Sequence, residues 1–91
     1  MTGLKQEKSF FKAIKKLPPD RQTAAFSALK LFVLNKKTNS LYFRPFKGWP
    51  GYFIIDSTGG DRVILRHDGA DDYAAVDAGT HDIYKKWSRS R

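Results

Sequence analysis

The chain has 91 residues, 41% hydrophobic and 14% aromatic, enough for one small core, which excludes both a disordered and a multidomain chain. Seventeen Lys and Arg against nine Asp and Glu leave a net charge of +8, which favours polyanions through phosphate contacts and counterion release, or an acidic protein partner. The absence of cysteine removes disulfide frameworks and thiolate metal sites.

The segment 1–8 is polar, with no apolar leader core, and no apolar run approaches the roughly 20 residues of a membrane span. One soluble, cytoplasmic domain spanning 1–91, with no membrane partner, is the expectation. Phe10, Phe11, Ile14 and Leu17 recur at helical spacing, opposite Lys8, Lys12, Lys15 and Lys16, and predict a short amphipathic helix. Pro18-Pro19 ends it, and the same prolines can open a second helix from about Asp20 to Leu34. Ala25, Ala28, Leu29 and Phe32 form the buried stripe of that helix, flanked by Phe26 and Val33.

After the polar break at Asn35 to Asn39 the pattern turns to short extended runs. Leu41 to Phe46 is interrupted by Pro45, which suits an edge strand or a bulge. Gly48-Trp49-Pro50-Gly51 reads as a turn, Tyr52 to Asp56 as a strand, and Ser57-Thr58-Gly59-Gly60-Asp61 as a hairpin loop. Arg62 to His67 and Tyr73 to Asp77, joined by a Gly/Asp turn, complete a meander. Thr80 has the chemistry of an N-cap, with Asp82 in the first turn of a tail helix that packs through Ile83, Tyr84 and Trp87. The class is α+β: a two-helix hairpin packed on a small antiparallel β-sheet, with a short C-terminal helix.

In this order and spacing, the chain resembles the RelE/ParE superfamily of toxins from bacterial type II toxin–antitoxin systems, from about Ser9 to Trp87. The resemblance rests on the helix pair around Lys15-Lys16-Leu17-Pro18-Pro19, the strand end Phe46-Lys47-Gly48, the run Asp61-Arg62-Val63-Ile64-Leu65, and Gly79-Thr80-His81-Asp82-Ile83-Tyr84. It implies a microbial RNase-like fold, an mRNA interferase that cuts in the ribosome without a metal, and an acidic antitoxin as partner. The ParE branch instead implies poisoning of DNA gyrase, and other copies are non-catalytic nucleic-acid or protein-binding modules. His81 falls where several mRNA-cleaving branches carry a C-terminal catalytic histidine, which places the match nearer to them. Members begin with a β-strand before the first helix; the polar, lysine-bearing start of this chain departs from that, and the edge strand is expected to be missing or weakly paired.

RNA cleavage without a metal needs a base for the 2′-OH, cations on the phosphorane and an acid for the leaving 5′-oxygen. His81 is the candidate base or acid; the alternative is a surface histidine beside an N-cap. Arg62 and Arg66 share one strand face with Ile64 between them, and two arginines are costly to bury, so that face is expected to be open and phosphate-facing. The resemblance puts Arg62 on the scissile phosphate; the alternative is that each arginine pairs with a local acid such as Asp61, Asp68 or Asp77. Tyr84, one turn after His81, either stacks on a base or donates a hydrogen bond, or else anchors the tail helix. Lys47 and Arg44 lie where the resemblance puts cations against the RNA backbone, and Lys85 joins them from the basic tail. His67 has the opposite strand parity and is read as structural or at the turn, and Trp87 as packing. No metal and no cofactor are predicted, because two histidines among scattered aspartates do not make a zinc set.

Overall fold

A computed structural model of the chain describes residues 2–57 and 60–89. Its first helix, α1 (Lys8–Ile14), buries Phe10, Ala13 and Ile14. Phe11 is 41% exposed, against expectation. With only two turns, the Phe10/Ile14 pair, one turn apart, takes the core side, and Phe11 is rotated about 100° away from it. Helix α2 (Pro19–Leu34) starts with Pro19 in its first turn, where a missing N–H is harmless, and buries Ala25, Ala28, Leu29 and Phe32 as one stripe. Phe26 at its edge packs edge-on against Phe10 with ring centroids 5.9 Å apart.

Five strands follow the order β1-β5-β4-β3-β2. They are β1 (Gly3–Gln6), β2 (Arg44–Pro45), β3 (Tyr52–Asp56), β4 (Arg62–Gly69) and β5 (Asp72–Gly79). The N-terminal strand expected to be missing or weakly paired is therefore present, pairing parallel to β5 from Gly3 opposite Asp72 to Gln6 opposite Ala75. An edge strand needs its backbone ladder more than an apolar composition, so exposed Lys5 and Gln6 do not prevent it, and Leu4 supplies the inward contact. The sheet is mixed rather than wholly antiparallel for that reason. The run Leu41 to Phe46 is likewise shorter than predicted. A 3-10 turn (Asn39–Leu41) and a left-handed Tyr42 precede β2, which keeps two residues on the opposite sheet edge, where Pro45 is tolerated. In the β3–β4 hairpin loop Ser57 N donates to Asp61 O at 3.0 Å; Thr58 and Gly59 of the predicted loop, and Arg91 of the basic tail, lie outside the described residues.

Both faces of the sheet are covered. Helices α1 and α2 lie over Ile55, Val63, Leu65, Tyr73 and Ala75. On the other face α3 (Ile83–Arg89) closes over Phe46, Ile54, Ile64, Ala74 and Val76, with Trp49, Tyr52, Tyr84 and Trp87 around it. Val63, Ile64 and Leu65 are accordingly all fully buried. The register between β4 and β5 shifts between Ile64 and Leu65, leaving Val76 without a direct partner. This bulge puts both Val76 and Asp77 on the α3 side, where buried Asp77 accepts a hydrogen bond from Trp87 Nε1 at 2.8 Å and an ion pair from Lys86 at 3.0 Å. Two polar clamps tie the α2 side to the sheet: Arg21 grips buried Asp61 through Nε and Nη2, and Lys36 and Thr2 hold Asp71. No described helix is long and apolar enough to cross a membrane.

Candidate functional site

The hairpin pairing of β3 and β4 sets Asp56 directly opposite Arg62, and Arg62 opposite Gly79 on β5. Arg44 reaches the same end of the sheet from the edge strand. One carboxylate oxygen, Asp56 Oδ1, stands 3.3 Å from Arg62 Nε and 3.2 Å from Arg44 Nη1. Both Asp56 Oδ1 and Arg62 Nε are buried, yet neither makes an aligned hydrogen bond among the described residues. Charge proximity alone joins them. Two guanidinium groups thus share one acid, and the group keeps a charge of +1 (two cations less one anion).

Around that centre the remaining donors are directed. Arg44 Nη2 donates to Tyr84 Oη at 3.0 Å, Arg44 Nη1 donates to Tyr42 O at 2.7 Å, and its guanidinium carbon lies 4.4 Å over the Tyr42 ring. Arg62 Nη1 donates to Gly60 O. Tyr84 also packs edge-on against Phe46 at 5.9 Å, so it both anchors α3 and presents its hydroxyl to the cationic group. Lys47, exposed in the turn after β2, lines an open hollow of about 450 Å³ with Arg44, Phe46, Trp49, Tyr84 and Ser88.

His81 leaves β5 two residues after Gly79, so it emerges at the Arg62 end of the sheet. It sits in the turn before α3, not within the helix: Ile83 N donates to Thr80 O at 2.9 Å, and Thr80 Oγ1 accepts from Asp82 N at 3.3 Å. Its side chain is 79% exposed, with Asp82 Oδ1 3.8 Å from Nε2. Lys85 is exposed on α3.

Arg66 stands elsewhere. Four residues along β4 from Arg62, it lies about 13 Å away along the strand, with α3 covering the sheet between them. Its Nη2 donates to Glu7 at 2.7 Å, and its Nε donates to Asp68 at 2.6 Å. Those hydrogen bonds, to Asp68 first and Glu7 second, push its pKa above the ordinary arginine value, and Arg66 in turn holds Asp68 below the usual carboxylate range. The expectation of one open face carrying both arginines is therefore corrected. The centre of that face is a core under α3, and the arginines occupy opposite ends of it. The pairing alternative holds for both, although the acid beside Arg62 is Asp56 rather than Asp61 or Asp77. His67, read as structural or at the turn, lies near the end of β4 opposite Tyr73 in a structural place, with Nε2 2.7 Å from Ala70 O and its ring 4.8 Å from that of Tyr73.

Sequence reasoning missed Asp56 and Glu7. The first was recoverable: a five-residue loop between Asp56 and Arg62 in an antiparallel hairpin makes those two residues cross-strand partners. The second was not, because Glu7 meets Arg66 only through the parallel strand that the composition argued against.

No protein-family model matches the chain, and no curated protein matches it by sequence. Solved structures do match in three dimensions. A free Escherichia coli RelE toxin with two arginine-to-alanine substitutions superposes with a TM-score of 0.69 at 15% identity, covering 96% of this chain and 90% of that one. The fold is that of the RelE toxins. The toxin in the RelB–RelE antitoxin–toxin complex of Methanococcus jannaschii gives 0.67 at 16% identity over 91% and 96% of the two chains. A copper-bound mutant toxin of Helicobacter pylori gives 0.66 at 19% identity over 91% and 98%. At these identities the likeness is one of RelE-type architecture, three helices on a five-stranded sheet.

Proposed function

We propose that the protein is the toxin of a type II toxin–antitoxin pair and a metal-independent, ribosome-dependent mRNA endonuclease that inhibits translation in the cytoplasm. The single observation that carries this reading is the convergence of Arg44 and Arg62 on one carboxylate, with the Tyr84 hydroxyl held by Arg44, at the sheet end from which His81 emerges. A phosphate entering there would replace a poorly aligned carboxylate by an anion with more acceptor oxygens, and guanidinium groups favour such planar, paired contacts.

In the proposed reaction the 2′-oxygen attacks the adjacent phosphorus and loses its proton to a base. The bond to the 5′-oxygen then breaks as that oxygen gains a proton, leaving a 2′,3′-cyclic phosphate and a 5′-hydroxyl. His81 is assigned the role of base or acid, Arg62 and Arg44 the charge on the phosphorane, and Tyr84 a hydroxyl hydrogen bond or base contact. Lys47 and Lys85 hold the RNA backbone. Arg66, from its position, serves the flanking RNA rather than the reacting phosphate. The partner that silences the toxin is an acidic antitoxin covering the cationic end and α3; two of the solved RelE-fold toxins, from E. coli and M. jannaschii, are held in complexes with RelB antitoxins.

Induced expression of the wild type, Arg62→Ala and His81→Ala in a bacterium tests the reading. Growth arrest with cut transcripts in the wild type, and loss of both in each variant, is expected. Arrest and cleavage as strong in the variants as in the wild type would remove the assigned roles, and a DNA-damage response in place of translation arrest would favour gyrase poisoning.

A further inference from the structure

The molecule has a larger hollow that the reaction above leaves unused. It has a volume of about 730 Å³, within the range of small-ligand sites, and lies at the Arg66 end of the sheet, on the other side of α3 from Arg62. One wall is aromatic: Trp49, Tyr52 and Trp87, with ring centroids 4.8 to 5.8 Å apart. The rim is polar, formed by Glu7, Lys8 and Arg66. Other polar groups nearby are already occupied. Ser9 Oγ donates to Val76 O at 2.6 Å, and Asp77 is engaged by Trp87 and Lys86. Glu7 differs, because only its Oε1 is engaged, by Arg66, and Oε2 has no hydrogen bond among the described residues.

We propose that this hollow is a second, base-selective RNA site that takes an unpaired nucleobase carrying an exocyclic amino group. The proposal rests on the RNA reading above and names what its flanking site would recognise. A nucleobase offers an apolar face to the aromatic wall and a hydrogen-bonding edge to the rim. The spare oxygen of Glu7 accepts but does not donate, so it selects an amino N–H. Uracil presents its one N–H between two carbonyl oxygens, which a carboxylate repels. With Glu7, Asp68 and Asp77 offsetting the nearby cations, the hollow favours a neutral flat ring over a bare phosphate.

The two tryptophans of the chain both line the hollow, so their fluorescence reports on it directly. Purified protein is titrated with adenosine, cytidine, guanosine, uridine and ribose 5-phosphate. The expected result is saturable quenching by the first three, binding at least about fivefold weaker for uridine, and none for ribose 5-phosphate. Glu7→Ala, checked for folding by near-ultraviolet circular dichroism, is expected to lose the discrimination against uridine, and His81→Ala to keep it. Absence of quenching, equal discrimination in Glu7→Ala, or quenching by ribose 5-phosphate would overturn the proposal. Cleaved transcripts without quenching would sink this site alone; quenching without cleavage would sink the nuclease reading and leave the base site standing.

Discussion

Replacing Asp56 by Asn removes the one charge that holds Arg44 and Arg62 in place while keeping the side chain's shape. Two unit charges about 4 Å apart near a protein surface attract by roughly 4 kcal/mol before desolvation. Here the three side chains are partly exposed and the contacts unaligned, so the net contribution per pair falls to about 1 kcal/mol. With both pairs lost, folding stability is expected to drop by about 2 kcal/mol. RNA binding is expected to move the other way, because a phosphate no longer displaces a carboxylate: about 1 kcal/mol is roughly a fivefold gain in affinity. One additional phosphate contact also steepens the dependence of log affinity on log salt by about 0.7 for a single strand. Fluorescence anisotropy of a labelled single-stranded oligoribonucleotide between about 50 and 200 mM salt measures both. Asp20→Asn on α2 adds the same charge elsewhere and is expected to leave the slope unchanged. Unaltered or weaker binding by Asp56→Asn, with the wild-type slope, would refute the view that this acid occupies a phosphate position.

Trp87→Ala removes the ring that spans Phe46, Trp49 and Tyr52 and the donor to buried Asp77; a loss of about 2–3 kcal/mol is expected, lowering the urea midpoint by about 1–2 M. Phe32→Ala, at a fully buried position facing Phe43 and Tyr73, is expected to cost about 3–5 kcal/mol by the same denaturant measurement, and a loss under 1 kcal/mol would contradict its place in the core. Lys36 holds Asp71, and Arg66 holds Asp68, below the ordinary carboxylate value, so their stabilisation is present above about pH 4 and fades as pH falls through the lower folded values. Lys36, raised by Asp71, gives stability present below about pH 10.5 and lost as pH rises through its higher folded value. Urea midpoints across pH are expected to show those two flanks, with Asp71→Asn weakening both.

Where a residue's partners lay close in sequence, the structure was legible beforehand. The Pro18-Pro19 junction, the α2 stripe and strand β3 fall where helical and alternating spacing puts them. Strand β1 was hidden because its stability comes from a ladder with β5, nearly seventy residues away, and from Leu4 alone among its side chains reaching the core. The division of Arg62 from Arg66 was hidden for a related reason. Strand parity correctly put both on one face, but the seating of α3 over Ile64 is a long-range packing event, driven by Trp87, Tyr84 and Ile83, that parity does not contain. The bulge at Val76 belongs to the same class: it turns Asp77 towards Trp87, and no local pattern announces it.

The chemistry of the RNA ends produced in cells tests the assigned reaction most directly. After induced expression with and without His81→Ala, cut transcripts are ligated and mapped by methods that separate 5′-hydroxyl from 5′-phosphate termini. Attack by the 2′-oxygen at the Arg44–Arg62 end predicts new 5′-hydroxyl ends paired with 2′,3′-cyclic phosphates, lost in the variant. New ends bearing 5′-phosphate, or an unchanged pattern without the imidazole, would contradict it.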